Sequence, residues 1–85
     1  MTERQALKAF GKRVRELRKA RAWTQEELAE AANLHENYVS RLETGEQEPG
    51  LFVILRLCRG FGIAPGELLG HLTVNAGRSY PPRPD

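Results

Sequence analysis

The chain has one cysteine, Cys58, among its 85 residues, so no intrachain disulfide can staple it. No group of Cys and His has metal-ligand spacing, and neither a metal nor another cofactor is expected. Paired carboxylates, nucleophile–base sets and phosphate-cradling glycine loops are missing as well, which argues against an enzyme. No apolar run approaches the length of a membrane span. The first residues, Met1-Thr2-Glu3-Arg4-Gln5, carry charge and no apolar signal-peptide core. The expectation is a soluble, cytoplasmic chain without membrane contact. A chain this short is near the size at which one core becomes marginal, so with disulfide and metal set aside, association remains as support.

Charge is present but unevenly distributed. The net value is +2, yet residues 1–21 hold eight Lys/Arg against Glu3 and Glu16, whereas residues 24–50 hold seven Glu against Arg41 alone. The first stretch suits phosphates and the second does not.

Periodicity divides the chain into helices. Leu7, Phe10, Val14 and Leu17 recur as one apolar stripe, which predicts a first helix from about residue 5 to 21. Thr24-Gln25-Glu26-Glu27 reads as a capping box, with Trp23 and Leu28 placed for a hydrophobic staple, so a second helix spans about 24–32. Asn33, which tolerates the left-handed conformation, marks a sharp turn. A third helix follows at about 35–44, with Val39 and Leu42 inward and Gly45 closing it. Leu51, Ile54, Leu57/Cys58 and Phe61 define a fourth helix, closed by Gly60 or Gly62. Pro65 opens a short fifth one holding Leu68 and Leu69 and reaching toward Leu72. One domain over residues 1–74 and an extended or disordered tail over 75–85, containing Pro81-Pro82-Arg83-Pro84, are expected.

Two short helices joined by a tight turn, with the small Ala29 where they approach, have the layout of a helix-turn-helix. The pattern resembles the phage-repressor/Cro class of helix-turn-helix regulators, also called the xenobiotic-response-element class, over about residues 10–70. Gln25, Leu28-Ala29, Leu34, Val39, Ser40, Leu42, Glu43, Gly45, Pro49, Leu51, Ile54, Leu57, Phe61, Gly62 and Leu68 fall in step with that family, and Asn33 stands where it usually has Gly. Asn37-Tyr38-Val39-Ser40 also looks like the start of the recognition helix in the restriction–modification controller branch. The resemblance implies an all-α, five-helix, lambda-repressor-like DNA-binding domain that regulates transcription, a dimer reading two half-sites of double-stranded DNA with its third helix in the major groove.

Carried onto matching positions, the family's contacts make Glu36, Asn37 and Arg41 candidates for base edges, with Ser40 at the margin. Asn suits the N6/N7 edge of adenine and Arg the O6/N7 edge of guanine. Thr24 and Gln25, at a helix N-terminus, are candidates for a phosphate, against simple capping for Thr24. Tyr38 either meets DNA or braces the third helix. His35 either touches a phosphate or is an exposed turn residue, and Arg13 is a further phosphate candidate. Arg18 and Glu43 are expected to pair and tie the first helix to the end of the third, and Cys58 reads as a buried structural thiol. Leu68, Leu69 and Leu72, with Val74, either form a homodimer interface or close the monomer core.

The acidic loop Glu46-Gln47-Glu48 weakens the backbone term that usually dominates affinity. It leaves two readings: a dimeric regulator relying on specific contacts, or a fold used mainly for a protein partner, such as RNA polymerase or an antitoxin-like partner.

Overall fold

A computed structural model describes residues 1–74; the expected tail, 75–85, lies outside the described residues. Five helices follow in order: α1 (Glu3–Ala20), α2 (Gln25–Ala32), α3 (Glu36–Thr44), α4 (Leu51–Phe61) and α5 (Pro65–Leu69). Helix α1 starts earlier than the apolar stripe suggests because Thr2 caps it. The Gln5 N–H donates to the Thr2 hydroxyl at 3.1 Å, and the Thr2 N–H donates to the Gln5 side-chain oxygen at 2.9 Å. The chain leaves α1 through Ala22, held left-handed at φ 57°. Leu72 lies beyond the end of α5.

Local signals account for four further boundaries. Thr24 and Glu27 form the reciprocal cap of α2, at 3.0 and 2.8 Å. Asn33 is left-handed at φ 55°, which lets the Leu34 N–H reach back to the Ala29 carbonyl at 2.8 Å. Gly45 at φ 81° and Gly62 at φ 73° end α3 and α4 in the same conformation.

The core is a single cluster of Phe10, Val14, Leu28, Ala29, Ala32, Val39, Leu42, Leu57, Cys58, Phe61 and Leu68. Each of its large side chains contributes about 1.5–3 kcal/mol by leaving water. Helix α1 packs on α3, α2 on both α3 and α4, and α5 against α1 and α4. One close approach, between α1 and α3, carries no signature in the sequence. A Cβ at Gly11 would stand 2.2 Å from the Leu42 carbonyl oxygen and 2.7 Å from that of Glu43, so α1 lies directly on the last turn of α3.

Arg21 fastens the far end of α1. Its guanidinium donates to the Leu17 carbonyl at 2.9 Å and the Phe61 carbonyl at 2.7 Å, so one cation meets the C-terminal carbonyls of both α1 and α4. It also lies 4.9 Å from the Phe61 ring centroid, and Phe61 is stacked on Trp23.

Two apolar expectations need correction. Leu51, assigned to the inner face of α4, is 65% exposed, because it is the first residue of the helix and lies beyond the edge of the core. Leu68, a candidate for an interface between copies, is fully buried within the monomer and cannot touch a second copy; Leu69 and Leu72 are half-buried against the same core. Among the described residues, no helix is long and apolar enough to cross a membrane.

Candidate nucleic-acid interface

The interface begins with the division of α3 into two faces. Val39 and Leu42 are fully buried, while Glu36, Asn37, Arg41 and Thr44 are exposed. A nine-residue helix with one buried stripe holds its outer side chains in fixed register without using them for packing. Ser40 is half-buried beside them.

The start of α3 is set by His35, whose Nδ1 accepts from the Asn37 N–H at 3.2 Å. His35 therefore acts as the N-cap of α3, a role beyond the phosphate contact or exposed turn residue that the sequence suggests. Its cap fixes the first turn, on which both Glu36 and Asn37 stand. Tyr38 is half-buried and packs against the core, so its ring braces α3. Arg41 leans toward the following loop, with its Nε 3.4 Å from the Gln47 side-chain oxygen.

Behind α3 lies an ionic network that ties three helix ends together. Arg18 Nε donates to Glu43 Oε2 at 2.6 Å and Nη2 to Oε1 at 2.9 Å, a bidentate pair with side chains only 11% and 4% exposed. Arg18 Nη1 also donates to the Trp23 carbonyl at 2.8 Å, immediately before the cap of α2. The hydrogen bond to Glu43 is the main cause that raises the Arg18 pKa above its ordinary value, outweighing partial burial, so the guanidinium stays charged. Removing one partner would leave a buried charge unmatched.

Gln25 joins this network: its Nε2 donates to Glu43 Oε1 at 3.1 Å. Its position at the start of α2 keeps it beside backbone N–H groups that no helical carbonyl can meet. The Thr24 hydroxyl oxygen is engaged by the Glu27 N–H, which leaves the hydroxyl proton as the one polar hydrogen of that side chain still to give.

Arg13 is placed elsewhere. Its guanidinium donates to the Glu67 carbonyl at 3.2 Å across the α1–α5 contact, which fixes it to α5 and not to the α2–α3 unit. It lines an open cleft with Lys12, Glu16, Glu67 and His71. Cys58 is buried, and loss of water, reinforced by the charge of Glu67, pushes its thiol pKa up, so it stays protonated.

The arrangement offers planar and forked hydrogen-bonding groups on the exposed face of α3, and α2 adds first-turn backbone N–H groups that no helical carbonyl meets. Among the described residues, no group of three or more His, Cys, Asp or Glu is gathered to hold a metal. Residues 9–72 match the family described as helix-turn-helix domain. The chain is 33% identical over 66 residues to control protein C.BamHI of Bacillus amyloliquefaciens, with 76% of this chain and 82% of that protein covered. It is 33% identical over 64 residues to the immunity repressor protein of Bacillus phage phi105, covering 75% of this chain but 44% of the repressor. Among solved structures, the restriction-modification controller protein C.AhdI from Aeromonas hydrophila superposes with a TM-score of 0.70 at 41% identity, over 75% of this chain and 96% of that one.

Proposed function

The chain belongs to the helix-turn-helix family of DNA-binding transcription regulators, and we propose that it reads double-stranded DNA as a homodimer, with α3 in the major groove. One observation carries this reading: Glu36, Asn37 and Arg41 share the outer face of a helix whose other face is fully buried. In this reading Asn37 pairs with an adenine edge and Arg41 with a guanine edge, each good bidentate pair contributing about 1–3 kcal/mol of discrimination. Glu36 accepts from cytosine N4 or repels the acceptor edges of other bases. Ser40 lies at the margin of the contact. Gln25, the Thr24 hydroxyl and the free N–H groups of α2 bind the phosphate backbone and fix the register. The likeness to C.AhdI supports a place in the controller branch, with a restriction–modification gene cluster as the regulated target.

The second copy docks, in this proposal, on α4. Leu51, Phe52 and Leu55 are 65%, 71% and 41% exposed on one helix, an apolar surface with no partner among the described residues. This surface replaces Leu68, which the core has already enclosed. Homodimeric regulators of this class read half-sites about one helical turn apart, so a self-complementary patch and a two-fold operator belong together. Phe52→Glu should shift the chain to monomer in sedimentation equilibrium while leaving its helical circular dichroism intact.

Selection of duplexes from a random pool tests the whole reading. Two similar half-sites should emerge, and Asn37→Ala and Arg41→Ala should each relax selectivity at one base position per half-site. No enrichment at low salt would overturn it in favour of a protein-binding role, with RNA polymerase or an antitoxin-like protein as the partner to test next.

A further inference from the structure

We propose that Glu43, whose side chain is only 4% exposed, is a positioning residue for the backbone contact: it dictates which way round the Gln25 amide sits. This inference rests on the reading that Gln25 meets a phosphate. A glutamine amide is nearly symmetric in shape, and packing alone seldom distinguishes its oxygen from its nitrogen. A phosphate oxygen accepts and cannot donate, so only one of the two orientations binds. Glu43 makes the choice by the same logic. Both oxygens of its carboxylate already accept from Arg18, and a carboxylate has no hydrogen to donate. The Gln25 nitrogen must therefore face it, as it does at 3.1 Å. The flipped amide would set oxygen against oxygen.

The nitrogen carries two hydrogens. One is given to Glu43, and the second remains for a ligand beside α2. Arg18 reinforces the arrangement at both ends, because it also holds the Trp23 carbonyl that precedes the Thr24 cap. The ion pair thus does more than join α1 to α3. It presents a donor whose direction is settled before DNA arrives, so binding does not have to order it.

Two measurements on the full chain test this. In the unmodified protein, the Gln25 side-chain amide protons should be shifted, and their rotation slowed, relative to the glutamine amides of the same chain unfolded in urea, in proton–nitrogen spectra. Gln25 amide signals like those of the unfolded chain would overturn the proposal, and this result does not depend on any variant folding. The second measurement is a binding cycle on a selected duplex with Gln25→Ala, Glu43→Gln and the double variant, each checked by thermal melting. A hydrogen bond to a charged group predicts that Gln25→Ala weakens binding about tenfold or more. Glu43→Gln should weaken binding comparably alone and by little once Gln25 is absent. Equal losses in both backgrounds would assign Glu43 a purely structural role and overturn the proposal. Wild-type affinity for Gln25→Ala would instead remove the phosphate contact itself, and the proposal with it.

Discussion

Gly11→Ala is the substitution whose sign separates local from tertiary reasoning. Gly11 lies in the middle of an 18-residue helix, where replacing glycine with alanine normally stabilises by about 0.5–1 kcal/mol. The packing opposes this. The new methyl carbon would be 2.2 Å from the Leu42 carbonyl oxygen, 2.7 Å from that of Glu43 and 2.9 Å from the Glu43 carbonyl carbon. All three are backbone atoms of α3 and cannot rotate aside. Since carbon–oxygen contacts normally begin near about 3.3 Å, α1 would have to retreat by about 1 Å. Overpacking of this kind costs about 1–3 kcal/mol and sometimes more. Contact with rigid backbone puts the cost at the upper end, so the net loss should be about 2 kcal/mol after the helix-propensity gain. In urea unfolding followed by circular dichroism at fixed protein concentration, the midpoint should fall by about 1–2 M for an m value of about 1–2 kcal/mol/M. Gly66→Ala is the control. It too is helical, but a Cβ there would meet nothing within 4 Å, so the midpoint should hold or rise. A rise in both variants would refute the claimed contact between α1 and α3.

Ala22, left-handed at φ 57° without being glycine, makes a prediction of opposite sign. Ala22→Gly removes a cost of about 1–2 kcal/mol and adds unfolded-state freedom of about 0.4–1 kcal/mol, so melting should show a small net gain. Cys58 gives a pH dependence. Its folded pKa is raised, so the folded state keeps the proton that the unfolded thiol loses above about pH 8.5. Stability should therefore decline as pH rises through that value toward the folded pKa, and the decline should be shallower in Cys58→Ala. Parallel stability–pH curves for the two proteins would contradict the buried thiol.

The parts of this fold that were legible in the sequence were those written locally. The Thr24–Glu27 box, the left-handed Asn33, Gly45 and the Pro65 start need only a few neighbouring residues to specify them. The α4 surface was illegible for a definite reason: Leu51, Phe52, Val53, Ile54, Leu55 and Leu57 are apolar almost all round the helix, so periodicity cannot choose an inner face. Five-residue α5 is too short to establish a face, which is why Leu68 could be read as outward or inward. Gly11 against Leu42, Arg21 on Phe61 and Gln25 on Glu43 all join residues distant along the chain, and composition carries no trace of them. The Arg18–Glu43 pair is just as distant, and only the family resemblance anticipated it.

Those long-range contacts also change what the basic first segment can do. Of its eight cations, Arg13, Arg18 and Arg21 are engaged inside the fold by Glu67, by Glu43 and Trp23, and by Leu17 and Phe61. They still contribute to the long-range potential, but closing on a phosphate would break bonds that hold α1 to its neighbours. Arg4, Lys8, Lys12, Arg15 and Lys19 remain in that segment, and the backbone donors proposed on α2 are neutral. Neutral donors position DNA without releasing counterions, so they add affinity and no salt dependence. If every remaining cation of the segment met a phosphate, log K against log salt would slope by about −4.5 per protomer, at 0.9 per neutralised charge. Acidic residues near α3 should make the measured slope shallower than that limit. A titration of the selected duplex across salt concentrations reads the slope directly. A value steeper than the limit that persists when Arg41, Arg56 and Arg59 are each replaced by Gln would mean that internally held arginines leave their partners, and it would refute their assignment as ties within the fold.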